Sequence, residues 1–256
     1  MLTSPPLLFV VSILFWTWFA LASVVLFMGA LALWLVTLPF DRNLRLLHLY
    51  SCFWAASFMY VNPLWRLDIK GTRIDRARPF VIVSNHQSLG DVLVLFSTYL
   101  PFKWVSKTSV FKVPLLGWNM RLNRYVPVER GDKSSVEKMS AACRAWLGRG
   151  VSVLLFPEGT RSKDGLIQPF KVGAFRIARD AGIQVLPVIL DGTATALPKH
   201  GLLLRGFSCC RVRVLPPIDV GSHATAEEAA ESVRTVMIAE LDRLRRETGA
   251  PSVMAS

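Results

Sequence analysis

Charge is missing from the first 40 residues: none of the 48 Lys, Arg, Asp and Glu side chains in this 256-residue chain comes before Asp41. Residues 7–38 read LLFVVSILFWTWFALASVVLFMGALALWLVTL, well beyond the roughly 20 apolar residues that cross a bilayer. That excludes an ordinary soluble core helix, which keeps a polar face. A cleavable signal peptide fits less well, because no basic residue precedes the run and the run is too long. The expectation is an uncleaved, hydrophobic helical membrane anchor.

Acidic residues are also scarce, 18 against 30 basic ones, for a net charge of +12. Such an excess calls for an anionic partner, nucleic acid or lipid. No zinc finger, RNA-recognition signature or basic heptad array is present, so nucleic acid is not expected. Anionic membrane lipid is, at about 1 kcal/mol for each basic residue near the surface. The four cysteines, Cys52, Cys143, Cys209 and Cys210, have no disulfide or zinc spacing and read as reduced, mostly buried thiols. Metal-ligand clusters and a nucleophile-elbow motif are absent as well, which argues against a hydrolase.

A second apolar stretch, residues 44–65, carries Phe53, Trp54, Phe58, Tyr60 and Trp65 and suits an interfacial or re-entrant helix, with residues 39–43 as the turn. Arg42, Arg45, Arg66, Lys70, Arg73, Arg76 and Arg78 all follow the first run and none precedes it. The positive-inside rule then puts the large domain on the cytoplasmic face, of the inner membrane in a bacterium.

The organisation expected is a membrane-associated helical segment (1–65) and one α/β domain (66–250). Strands are predicted at 79–85, 103–107, 124–128, 151–156, 184–190 and 210–218, the last as an edge strand with Arg211 and Arg213 on one face. Helices are predicted at 91–100, 132–148, 172–182 and 225–247, with a helix or turn at 109–120. The last helix carries a Thr-Ala-Glu-Glu cap, an apolar stripe of Val233, Val236, Met237, Leu241 and Leu244, and an exposed Arg-rich end. Alternation of this kind gives helices around a central sheet.

Three stretches carry chemistry. In Ser84-Asn85-His86-Gln87-Ser88-Leu89-Gly90-Asp91, an H-x4-D spacing after a strand can set a carboxylate against imidazole Nδ1–H and leave Nε2 to take a proton from an alcohol. In Phe156-Pro157-Glu158-Gly159-Thr160-Arg161-Ser162, Gly159 permits close backbone approach, Thr160 and Ser162 offer hydroxyls, and Arg161 can grip a phosphate. Arg130 closes Tyr125-Val126-Pro127-Val128-Glu129-Arg130 and can join Arg161 and Lys107 around a dianion. His48, His200 and His223 lie in contexts that give them no catalytic part.

Taken in order, NHQSLGD, K-x4-K-x-P-x2-G-W from Lys107, YVPVER, FPEGTRS with KDG-x4-FKVGAFRIA, and VLPVIL resemble the motifs of the glycerolipid acyltransferases, most closely the 1-acyl-sn-glycerol-3-phosphate acyltransferase (PlsC-type) family. The resemblance covers about residues 66–220. It implies a mixed sheet flanked by helices, and transfer of an acyl group from acyl-CoA or acyl-carrier protein to the sn-2 hydroxyl of lysophosphatidic acid, with no cofactor and no acyl-enzyme. It makes His86 the general base, Asp91 its orienting partner, Lys107 a stabiliser of oxyanion or phosphate, and Arg130, Glu158, Gly159, Thr160 and Arg161 the acceptor site. The second motif departs from the family's usual Ile-Asp-Arg in reading Val-Glu-Arg, and Pro127 marks that strand as edge or bent. Other acceptors remain open, such as glycerol 3-phosphate or lyso-ornithine lipid, as does a non-catalytic basic membrane-binding protein. The face carrying His86 is expected to meet the membrane.

Overall fold

Three strands are buried on both faces, and their near-continuous apolar sequences place them at the centre of a sheet. They are β2 (Val81–Ser84), β5 (Ser152–Leu155) and β6 (Val185–Asp191). With β1 (Trp65–Gly71), β3 (Phe102–Lys107), β4 (Val126–Val128) and β7 (Ser208–Val214) they form a seven-stranded mixed sheet in the order β1-β7-β6-β2-β5-β3-β4. The computed structural model describes residues 4–197, 203–204 and 206–249, so His200 lies outside the described residues.

Strands β2 to β6 all run parallel, whereas β7 is antiparallel to β6 and parallel to β1. The carboxyl ends of five strands therefore open on one end of the sheet, where ligands of open α/β sheets gather. Side chains alternate between two cores with the period of two that a strand imposes. Ile82, Phe102, Leu154 and Leu186 face α2 (Arg45–Val61) and α3 (Gly90–Phe96). Val81, Val83, Val153 and Ile189 face α5 (Lys133–Gly148), α6 (Gly173–Ala181) and α8 (Ala226–Thr248). Helix α4 (Leu116–Leu122), after a 3₁₀ turn (Thr108–Lys112), links β3 to β4, and the one-turn α7 (Thr193–Ala196) follows β6.

The uncharged N-terminus is α1 (Pro5–Thr37), a 33-residue helix long and apolar enough to cross a membrane. It folds back antiparallel on α2. Trp18 and Phe19 pack on Phe58, Gly29 receives the Tyr50 side chain, and Ala30 packs with Leu44 and Leu47. Asp41, the first charged residue, secures the turn by accepting from Arg45 N and Leu46 N, both at 2.8 Å. Helix α2 lies between α1 and the sheet, and Phe15, Cys52, Ala55 and Met59 share one core with the strands. Phe15 meets Trp65 at the start of β1, so the first third of α1 lies at the His86 end of the sheet.

Three sequence expectations are corrected. The strand predicted at 210–218 is not an edge: β7 lies between β1 and β6. Its arginines are paired across the sheet, Arg213 to Asp68 at 3.1 Å and Arg211 to Asp191 at 3.4 Å. The true edge beside it is β1, where Trp65, Leu67 and Ile69 alternate with charged residues. The end of α8 is not wholly exposed, because Arg245 is buried, and Val236 leaves the apolar stripe for solvent. The edge position read from Pro127 agrees with β4.

Candidate active site

His86 stands just past the carboxyl end of β2, in the turn that leads to α3. Its Nδ1 lies 2.7 Å from Asp91 Oδ2 in the first turn of α3, and Asp91 is fully buried. The same oxygen accepts from Gln87 N at 2.6 Å and Ser88 N at 2.9 Å. A carboxylate so engaged can only accept from the ring, which fixes the proton on Nδ1 and leaves the Nε2 lone pair free. The ring is clamped flat by Phe156, stacked at 4.1 Å between centroids and 18° between planes. It retains a small exposed area, with 12% of the side chain accessible.

The loop after β5 grips the His86 backbone from both sides. Glu158 Oε1 accepts His86 N at 2.7 Å, and Ser162 N donates to His86 O at 2.8 Å. The other Glu158 oxygen accepts Gln168 N at 3.0 Å. Glu158 thus braces the histidine turn and its own loop instead of pointing out toward a ligand. Burial pushes its carboxyl up to about 7, against the two backbone donors that favour the charged form, and the nearby Asp91 and Asp164 carboxylates add to the rise. Ser162 Oγ donates to Asp164 at 2.7 Å and, with Leu166 N, holds that exposed carboxyl below its usual range.

Gly159 has φ +72, and the Lys171 side chain occupies the space a Cβ would need, with Cε 2.8 Å away. The positive φ is what favours glycine there, since the flexible Lys171 tip can move aside. Arg161 is half-buried, and its Nη1 is shut from solvent with no protein partner. That donor is unpaired one residue from Ser162, whose N–H holds the His86 backbone. Thr160 is exposed beside it. Lys107 ends β3 and Arg130 follows β4, both exposed and both at the same end of the sheet as His86. Arg130 belongs to the strand three positions from β2, roughly 14 Å across the sheet at about 4.8 Å per strand.

Several residues at the site carried no signal of their own in the sequence. Phe156 and Asn85 lie inside the motifs, where neither side chain's type points to its part: Phe156 stacks on the His86 ring and Asn85 bonds the Leu190 backbone. Thr193, whose hydroxyl donates to Asp91 Oδ1, lies 102 residues from its partner. His48 is a satisfied core histidine bonded to Tyr125 Oη and Leu100 O, both at 2.8 Å, and His223 lies far along the chain before α8. Two open clefts of about 450 and 430 Å³, around Lys70–Gly71–Thr72 and Val214, lie at the opposite end of the sheet and do not include His86.

A family model described as Acyltransferase matches residues 66–191. A 1-acyl-sn-glycerol-3-phosphate acyltransferase of Chlamydomonas reinhardtii is 36% identical over 236 residues, covering 90% of this chain and 69% of that one. The chain belongs to the 1-acyl-sn-glycerol-3-phosphate acyltransferase family. A chloroplastic member from Arabidopsis thaliana is 37% identical over 76% of this chain and 56% of its own length, and a yeast member, from Saccharomyces cerevisiae, is 32% identical over 77% and 68%. The chain thus spans between half and two-thirds or slightly more of the length of its curated relatives. Its fold matches the crystal structure of the 1-acyl-sn-glycerophosphate acyltransferase PlsC from Thermotoga maritima, with a TM-score of 0.74, 23% identity, and coverage of 91% of this chain and 96% of that one. Membership in this acyltransferase family accords with the mixed sheet and with the order of the motifs.

Proposed function

We propose that this enzyme moves a fatty acyl group from acyl-CoA or acyl-carrier protein to the sn-2 hydroxyl of lysophosphatidic acid, giving phosphatidic acid. The observation that carries the reading is the His86–Asp91 pair with Nε2 free, beside an Arg161 guanidinium whose Nη1 has no partner among the described residues. His86 Nε2 takes the hydroxyl proton as the acceptor oxygen bonds to the thioester carbonyl carbon. The resulting oxyanion collapses, the C–S bond breaks, and the imidazolium returns its proton to the leaving thiolate. Asp91 keeps the tautomer and stabilises the imidazolium. No acyl-enzyme forms and no cofactor takes part. The buried thiols of Cys143 and Cys210, pushed up to about 12 by burial, are poor nucleophiles.

Arg161 binds the acceptor phosphate, Thr160 and the Gly159 backbone border it, and Arg130 and Lys107 supply positive charge farther along the strand ends. Glu158 shapes this acceptor site from beneath. Exposed apolar side chains surround the same end: Leu89 inside the H-x4-D turn, Phe207 before β7, and Phe9, Ile13 and Leu14 on α1. An apolar rim of this kind suits a lipid acceptor entering from a membrane. Helix α1 buries its outer face in that membrane, and the cationic domain stays on the cytoplasmic side by the positive-inside rule.

The test is purified full-length enzyme given lysophosphatidic acid, glycerol 3-phosphate and lyso-ornithine lipid, each with acyl-CoA and with acyl-carrier protein. Phosphatidic acid as the dominant product supports the reading. Turnover confined to either other acceptor overturns it.

A further inference from the structure

The oxygen of Asp91 that His86 leaves unused has one donor, and that donor comes from a distant part of the chain. Thr193, fully buried at the start of α7, gives its hydroxyl proton to Asp91 Oδ1. Among the described residues it is the one hydrogen bond to that atom, whereas Oδ2 receives His86 Nδ1, Gln87 N and Ser88 N. The segment around Thr193 holds the histidine turn at further points. Ser88 Oγ donates to Thr193 O at 3.1 Å, and the Asn85 side chain exchanges two hydrogen bonds of 2.8 Å with the Leu190 backbone. Gly192, with φ +81 and Cys209 O where a Cβ would stand, makes the turn that aims Thr193 at Asp91. The matched acyltransferase domain ends at Asp191, short of this contact.

We infer that Thr193 is a positioning residue for the His86–Asp91 pair, holding the plane of the carboxylate and sharing its charge. This rests on His86 acting as general base. A buried carboxylate oxygen without a donor is costly. Stripped of Thr193, Asp91 would carry more charge toward the ring, stabilise the imidazolium more strongly and make His86 harder to deprotonate. The titratable groups facing the pair are Glu158 from the loop after β5 and Cys210 from β7, with Asp191 and Arg211 beside Cys210. All of them stay in place when only Thr193 is changed.

The experiment compares full-length wild type, T193V, T193S and H86A in detergent–lipid micelles, with lysophosphatidic acid and acyl-CoA as probes. T193V keeps the shape and removes the donor. It is expected to lower kcat by about tenfold, less than the roughly 10²- to 10⁴-fold that loss of the general base itself costs, to leave the acceptor KM nearly unchanged, and to move the acid limb of kcat/KM to higher pH. T193S, which restores the hydroxyl, is expected to recover both. The position of the acid limb does not depend on how much enzyme is folded, so it reports on the pair itself. An unmoved acid limb in T193V, or equal losses in T193V and T193S, would overturn the inference while an inactive H86A leaves the general-base reading standing. Near wild-type turnover in H86A would remove that reading and the role of Thr193 with it.

Discussion

Each contact on His86 fixes a different degree of freedom: Asp91 the tautomer, Phe156 the ring plane, Glu158 and Ser162 the backbone. The pair was legible in the sequence because both residues sit in one turn, and Arg161 because it follows the most apolar strand. The bracing role of Glu158 was not, since its partners are backbone amides that leave no mark on residue choice. Lys103 was also hidden. It occupies a strand position that reads as polar, yet it is buried, donates to Asn123 O at 2.8 Å and lies over the Trp146 ring. A prediction follows from Glu158. Its folded pKa of about 7 lies above its ordinary 4.5, so between those values the folded chain binds more protons than the unfolded one and loses stability as pH rises. Glutamine does not titrate. The apparent melting temperature of wild type should therefore fall relative to that of E158Q between pH 5 and pH 8, and a flat or rising difference would contradict the assignment.

Among the elements, the central strands β2, β5 and β6 were readable because burial on both faces leaves mostly apolar residues. Strand β1 was not, because Arg66, Asp68 and Lys70 resemble a solvated linker until the pairing with β7, Asp68 to Arg213 included, is known. The internal place of β7 was hidden for the same reason. The helical hairpin was legible as two apolar runs and a turn, but its packing was not, since aromatic side chains serve lipid and protein contacts alike. Asp41 marks where the hairpin is fixed. Replacing it in D41A removes the acceptor for two first-turn amides of α2 and should cost about 1 kcal/mol, measured by chemical denaturation in detergent. Unchanged stability would show that the turn is held by apolar packing alone.

For the whole molecule, the division into an uncharged N-terminus and a cationic remainder was plain from composition. The way the two join was not: α2 buries Leu47 and Phe58 against α1. A chain lacking residues 1–40 should uncover part of that surface and accumulate as inactive aggregate instead of a soluble enzyme. Recovery of a soluble, active protein from that deletion would contradict this packing. On the proposed function, the site's position at the end of the sheet nearest the start of α1 would bring a lipid acceptor, the Arg161 side chain and His86 into one place. The central claim is that His86 takes that proton. The most direct measurement is the kcat of H86A with lysophosphatidic acid and acyl-CoA, in protein whose circular dichroism and apparent melting temperature match wild type. A fall on the order of 10²- to 10⁴-fold is predicted; turnover within a fewfold of wild type would contradict the mechanism.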